Sequence, residues 1–312
     1  MAGPIAVTGG AGFIGSHVVE RMLASGHHVR VLDNLSTGHR ANLPAGLDGT
    51  FETGDCTNAA WVREALRGCA AVIHLAATPN VQKSLDDPPE ILHNNIQATA
   101  CVLEAARRLG IRRVVLASSA GLYAADEEPP HHEEMTPCPG NPYAVGRYAD
   151  EALAGVYSRV FGVDTTCLRF FNVYGPRQDP SSPYSGVISV FCRRMLAGQP
   201  PVIFGDGLQS RDFIYVGDIA AACSAAALSA TACGGKAVNV GTGRSTDLRQ
   251  LVSVLNDILG TTTQAQFVPA RQGEVRHSRA DTRRASALLG FTASTPFHVG
   301  LKSTVSWMQT AV

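Results

Sequence analysis

The chain is predicted to form a doubly wound α/β fold, a parallel sheet with helices on both faces, followed by a smaller C-terminal domain. Two patterns predict it. The first 170 residues alternate short apolar, β-rich runs with amphipathic helical stretches, as repeated βαβ units do. After Phe171 that rhythm breaks at a Gly/Pro/Ser-rich stretch, residues 174–186, and less regular elements follow. Strands are expected at residues 5–8, 29–32, 50–53, 71–75, 114–117 and 165–170, with helices at 14–24, 60–66, 91–109 and 144–161. Six such strands make a doubly wound sheet. Beyond them come a helix near 187–197, strands near 202–204 and 213–215, and helices near 219–229, 248–259 and 299–308. The implied division is 1–170 and 171–312, with room for segments of the second part to cross back to the first.

Composition narrows the function classes. The 312 residues can bury one large core or two modest ones. Hydrophobic residues make up 45% and charged residues 17%, with Lys+Arg and Asp+Glu equal at 26, so neither disorder nor a polyelectrolyte surface is expected. Nucleic acid and anionic membrane are therefore not expected partners. Met1 leads almost directly into Pro4-Ile5-Ala6-Val7 without a basic flank and apolar core, which points to a cytoplasmic location. The weakly polar run 219–233 is shorter than the roughly 20 residues of a spanning helix and reads as a buried Ala-rich helix.

The 8 cysteines lack close pairing and read as reduced, mostly buried thiols, with no metal site expected. His131-His132-Glu133-Glu134, adjacent residues on a Pro-flanked stretch, do not converge as i,i+4 ligands do and are expected to form a solvated loop.

Thr8-Gly9-Gly10-Ala11-Gly12-Phe13-Ile14-Gly15 follows the first strand at once and opens the first helix. That context suits a dinucleotide. Gly9 and Gly12 permit a tight turn and close approach to a pyrophosphate, Gly15 permits close helix-to-strand packing, and the helix start at Phe13 and Ile14 supplies amide donors and positive dipole. Asp33-Asn34 ends the second strand, where a carboxylate can accept both adenosine-ribose hydroxyls. Asp33 favours NAD over NADP, because it would repel a 2′-phosphate. The expected sheet is thus Rossmann-type.

With its GxxGxxG spacing the chain resembles the extended short-chain dehydrogenase/reductase family, the NAD-dependent epimerases and dehydratases. The resemblance continues through Gly54-Asp55, His74-Leu75-Ala76-Ala77, Asn94-Asn95, Ser118-Ser119, Tyr143–Arg147, Phe171–Arg177 and Phe204-Gly205-Asp206-Gly207…Arg211-Asp212-Phe213. It implies that Asp55 and Cys56 edge the adenine, that Ala76 and Ala77 line the cofactor phosphates, and that Asn95 supports the site. Asn34, Leu75 and Phe170 join the implied cofactor contacts, and NAD is implied to stay bound between turnovers. Helices 91–109 and 144–161 are implied to pack into a four-helix bundle across a homodimer.

Ser119 closes the fifth strand and Tyr143 opens the next helix, so both face the crevice at the sheet's carboxyl edge. A tyrosinate there can take a proton from a sugar hydroxyl while a serine hydroxyl holds the same oxygen. The family pattern is Tyr-x-x-x-Lys, in which the lysine stabilises the tyrosinate and binds the nicotinamide ribose. Here Arg147 stands in the lysine position, keeping the charge on a bulkier, planar fork. A second departure, Thr78-Pro79-Asn80, removes a backbone donor beside the expected substrate.

Within the family, residues 177–184 and Arg271-Gln272-Gly273-Glu274 are most similar to UDP-hexose 4-epimerases. The similarity implies that Asn172, Arg211 and Arg271 hold a diphosphate, Phe204 the uracil and Glu274 the uridine ribose, with Val187 also against the substrate. The position gating sugar size falls at Ser278, where a small side chain leaves room for a 2-acetamido group, as in a UDP-N-acetylhexosamine. Three readings follow. The first is 4-epimerisation through a 4-keto sugar; the second is a UDP-N-acetylglucosamine 5,6-dehydratase of the tunicamycin-pathway type; the third is a non-catalytic NAD-binding regulator. Ala120-Gly121 replace the Asp-Glu pair of the 4,6-dehydratases, and retention of Ser119 and Tyr143 disfavours the regulator.

Overall fold

The computed structural model describes residues 3–47, 49–79, 81–179, 186–270 and 275–311. In chain order it contains β1 (Ile5–Thr8), α1 (Phe13–Ala24), β2 (Val29–Asp33), β3 (Phe51–Thr53), α2 (Ala59–Ala65), β4 (Ala71–His74), α3 (Val81–Asp86), α4 (Pro88–Leu109), β5 (Arg113–Ser119), α5 (Pro142–Phe161) and β6 (Asp164–Phe170). There follow β7 (Asn172–Tyr174), α6 (Val187–Leu196), β8 (Val202–Phe204), β9 (Ser210–Arg211), β10 (Phe213–Tyr215), α7 (Val216–Leu228), β11 (Lys236–Val240), β12 (Thr246–Asp247), α8 (Leu248–Leu259), β13 (Gln266–Val268), α9 (Arg283–Leu289) and α10 (Phe297–Ala311).

Helix boundaries follow from local chemistry. Asp87 caps α4 by accepting from Glu90 N at 3.1 Å, prolines fill its first turn, and Gly110 ends it in the left-handed region at φ 71°. Asn141 does the same for α5, accepting from Ala144 N at 2.9 Å ahead of Pro142, and Gly162 closes that helix at φ 71°.

The main sheet has seven parallel strands in the order β11-β6-β5-β4-β1-β2-β3. The expected six become seven because β11, from beyond residue 171, returns to pair with β6, Val240 opposite Phe170. Strand order reverses at β1, leaving a crevice at the carboxyl ends beside it. Apolar side chains of the strands divide between two cores. Val7, Val31 and Ile73 meet Val18, Val19 and Met22 of α1 and Ile219 and Cys223 of α7. Leu32, Val72 and Leu116 meet Val62, Val102 and Ala154 of α2, α4 and α5 on the other face. A third core joins α6, α8 and α10 through Phe191, Leu251, Leu255 and Leu301. The Ala-rich run expected as a buried helix is α7. Among the described residues no helix is long and apolar enough to cross a membrane. Seven cysteines are buried, Cys138 is exposed, and all are free thiols.

The expectation of a solvated loop at 131–134 holds for Glu134, which is exposed, and fails for His131 and the Glu133 side chain. His131 is 2% exposed, stacks on Tyr123 at 4.9 Å between ring centres, and exchanges backbone hydrogen bonds with Arg279 and Asp281. The Glu133 carboxylate accepts from Asn239 N at 2.7 Å. His131 is drawn inward because Ala280 pairs with it as a β-bridge, a contact across some half of the sequence.

Candidate active site

The glycine turn is shaped by steric necessity. Gly9 has φ 66°, and a Cβ there would stand 2.7 Å from Ala76 N; a Cβ on Gly15 would stand 2.0 Å from Gly9 O. Gly15 therefore packs the helix against the turn itself, where sequence reasoning had it against the strand. Gly12 caps α1 without a side-chain partner, and the first turn, from Phe13 and Ile14, carries no acidic residue, so its amides and dipole are available to an anion.

Asp33, 7% exposed, accepts from Ala11 N at 2.9 Å and from Leu35 N at 2.8 Å. The carboxylate is thereby fixed at the rim of the turn, with lone pairs left for ribose hydroxyls. Asn34 donates to Asp55 at 3.1 Å, and Thr57, through its amide and hydroxyl, holds the Asp55 carboxyl below its usual range. Burial, reinforced by Asp55 and Asp33, pushes the Cys56 thiol up to about 12, so it packs as an inert hydrophobe. Across the crevice, Leu75 N and Ala76 N each donate to Thr8 Oγ1 at 3.2 Å, ordering the Leu75-Ala76-Ala77 segment. Asn95, 1% exposed, accepts from Thr78 N at 2.8 Å and donates to Thr78 O at 3.3 Å. Pro79 follows that clamp; Asn80 lies outside the described residues.

Ser119 ends β5 opposite Phe170 of β6, and its Oγ accepts from Gly121 N at 3.0 Å, starting the short turn Ala120–Leu122. Tyr143 is the second residue of α5 and half-buried. Arg147, one turn on, is sealed from solvent; its Cζ lies 5.2 Å from the Tyr143 ring centre, and its Nη1 donates to Ala117 O at 3.2 Å and Asp150 Oδ2 at 3.1 Å. Burial opposes the guanidinium's charge, but Tyr143 and Asp150 outweigh it and hold the group above its usual pKa. Its Nε is buried without a hydrogen-bond partner among the described residues. An orphaned donor beside the crevice, glycines without room for Cβ and a carboxylate at the rim together fit a bound dinucleotide.

A cavity of about 320 Å³ opens next to this pair. Asn172, Arg211 and Ser278 line it with Ala120, Gly121, Tyr123, His131, Cys138 and Asn141. Ser119 and Tyr143 are not in its lining; Ala120, next to the serine, and Asn141, two residues before the tyrosine, are. Val187 faces a smaller pocket that shares Asn172, and Phe204 lies outside the lining of both, with its carbonyl accepting from Gln209 at 2.6 Å. Arg271 and Glu274, like residues 180–184 of the expected substrate loop, lie outside the described residues.

Sequence reasoning passed over Tyr123 and put His131 on a solvated loop, yet both line the cavity. Tyr123 donates to Asn239 Oδ1 at 2.6 Å and accepts from Arg169 at 3.0 Å, while Arg169 forks onto Glu151 at 2.8 and 2.9 Å. Burial raises the Tyr123 pKa and lowers that of His131, which favours the neutral form of both beside the cavity they line. No local pattern marks His131, which is brought there by the bridge to Ala280; the Asn-Pro pair before Tyr143 was a legible helix start.

A match to the NAD dependent epimerase/dehydratase family spans residues 5–241. The chain belongs to this family. It is 38% identical over 310 residues to the UDP-glucose 4-epimerase of Mycolicibacterium smegmatis, covering 97% of each chain. Among solved structures, it is 34% identical to the UDP-N-acetylglucosamine 4-epimerase of Methanobrevibacter ruminantium in complex with UDP-N-acetylmuramic acid (TM-score 0.94, 100% of both chains). It is 35% identical to the Thermus thermophilus UDP-glucose 4-epimerase complex with NAD (TM-score 0.87, 99% and 100% covered). As a member of the epimerase/dehydratase family the protein is an NAD-dependent enzyme.

Proposed function

We propose that the protein is a UDP-sugar 4-epimerase whose substrate is a UDP-N-acetylhexosamine. The observation that carries this reading is the placement of Ser119 and Tyr143 at one edge of the sheet, beside a cavity lined by Asn172, Arg211 and the small side chain of Ser278. NAD, which the Gly9–Gly15 turn and Asp33 would hold, would supply the hydride acceptor and donor for the sugar's C4. Tyr143 removes the proton from the C4 hydroxyl and gives it back, and the Ser119 hydroxyl steadies that oxygen as its charge changes. Arg147 keeps a positive charge beside Tyr143 throughout. Arg211 and Asn172, with Arg271, hold the diphosphate; Phe204 and Glu274 hold the uridine, and Val187 closes the substrate side. The segment 171–312 thus supplies most of the substrate contacts.

A 5,6-dehydratase is the second reading, favoured by Arg147 in place of lysine and by Pro79 beside the crevice. It would remove the C5 proton and expel the C6 oxygen, which demands a further acid and base. Incubation with UDP-N-acetylglucosamine in deuterated water separates the two. The expected product is an isomer of unchanged mass without deuterium at C5, read by mass spectrometry and NMR. A product lighter by one water would overturn the epimerase reading in favour of the dehydratase.

The enzyme is further proposed to act as a homodimer through α4 and α5. Val145, Tyr148, Val156 and Val160 are exposed and share one side of α5 at helical spacing, with Val81 and Leu85 of α3 exposed nearby.

A further inference from the structure

Two carboxylates stand side by side inside α5, and each has its own arginine. Glu151 is engaged by Arg169 at 2.8 and 2.9 Å, and by the Ser118 hydroxyl at 2.6 Å. Asp150 is engaged by Arg147 at 3.1 Å, with side-chain exposures of 1% and 5%. The nearby His74 is enclosed, held neutral by burial and by Arg147, with its pKa lowered to about 3. It contributes no charge to the balance. A buried cation is costly unless matched, so Asp150 is the anion that lets a guanidinium reside at position 147.

The geometry does more than balance charge. Nη1 is held at once by Asp150 on its own helix and by the Ala117 carbonyl on β5, two residues before Ser119. Four rotatable bonds give an unrestrained arginine many poses; fixing one corner of a planar fork fixes the whole plane. That plane carries Cζ to 5.2 Å from the Tyr143 ring and Nε into the buried space beside the crevice. On the far side, Thr99 favours the Asp150 charge and contacts His74 Nε2 at 3.3 Å, and His74 Nδ1 reaches Thr8 Oγ1 at 2.7 Å. The buried polar chain therefore runs from the glycine turn to the tyrosine.

We propose that Asp150 is a positioning residue for proton transfer: through Nη1 it sets the guanidinium plane of Arg147 against Tyr143, a task that exists because position 147 is arginine. This rests on the reading of Tyr143 as the proton-transfer group. A lysine at 147 ends one atom short of Nη1, so its ammonium has no need of that corner contact.

The test is a two-by-two comparison of Asp150→Asn in the parent and in Arg147→Lys, with UDP-N-acetylglucosamine and UDP-glucose as probes. In the parent, Asp150→Asn is expected to lower kcat by about a hundredfold, the scale of a small misplacement of reacting groups, with KM and bound NAD nearly unchanged. In Arg147→Lys the same change is expected to cost no more than about threefold. Parental kcat for Asp150→Asn, or equal losses in both backgrounds, overturns the proposal. If Asp150→Asn does not fold with arginine present, the double variant decides. Folding and turnover at the level of Arg147→Lys support the proposal, and failure to fold overturns it. Tyr143→Phe separates the two layers: retained turnover there sinks the Tyr143 reading, and the proposal with it. An inactive Tyr143→Phe beside an active Asp150→Asn sinks the proposal alone.

Discussion

At the scale of single residues, burial decides which charges exist. His74 ends the interior strand β4 between Thr8 and Thr99, and desolvation, aided by Arg147, lowers its pKa from the usual 6.5 to about 3. Asp150 goes the other way: burial pushes it up from 3.8 to about 6 against the pull of Arg147. The signs oppose. As pH falls below 6.5 the unfolded chain takes a proton that His74 in the fold refuses, so stability is lost; between about 6 and 3.8 the fold takes a proton at Asp150 that the unfolded chain refuses, so stability is gained. His74→Asn removes only the first effect. Its stability deficit relative to the parent, read as the urea midpoint, is expected to narrow as pH falls from 7 to about 5. A deficit that stays constant over that range would show that His74 is not held neutral.

At the scale of elements, the strand-turn-helix unit β1–α1 is the most constrained piece of the cofactor site. Gly12 and Gly15 look alike in sequence but differ in space: an added Cβ meets Gly9 O at 3.1 Å from position 12 and at 2.0 Å from position 15. The first can be relieved by a small shift; the second cannot without moving α1 off the turn. Gly15→Ala is therefore expected to cost about 1–3 kcal/mol or more of stability, as overpacking does, and to lose bound NAD. Gly12→Ala should retain more of both. Equal urea midpoints and equal NAD content for the two variants would refute that distinction. The turn's existence was legible because all its residues are consecutive. What crowds Gly9 was not, since its nearest approach comes from Ala76, brought in by β4.

At the scale of the molecule, α4 and α5 pack against each other and leave an apolar stripe on α5. Val156 is 40% and Val160 66% exposed. A second copy of the chain would cover this face and add a large, continuous interface. If the proposed dimer forms through this face, Val156→Asp combined with Tyr148→Asp is expected to give a folded monomer and the parent a mass of two chains, measured by light scattering at matched concentration. An unchanged mass would place the dimer contact elsewhere. The stripe lies on the side of α5 away from Ala144, Arg147, Asp150 and Ala154, which face the interior, so one helix carries the proposed assembly and catalytic roles on opposite sides.

The sequence by itself determined the alternation of the first six strands and their helices, the glycine turn, Asp33 at its rim, and Ser119 and Tyr143 at one sheet edge. Each is written in consecutive or regularly spaced residues, where hydrophobic period, capping and turn chemistry act locally. The seventh strand, the burial of His131 and of the Glu133 side chain, and the cavity that joins Asn172, Arg211 and Ser278 were decided only by tertiary structure. Their contacts join residues far apart in the chain, and no local pattern encodes them. Arg147 and Asp150 show the division within a single helical turn. Their i,i+3 spacing was plain to read, and on an exposed helix it would have meant a weak surface pair. Packing of α5 against β5 and α4 removed water from both, and that desolvation turned an ordinary spacing into a matched buried charge beside Tyr143.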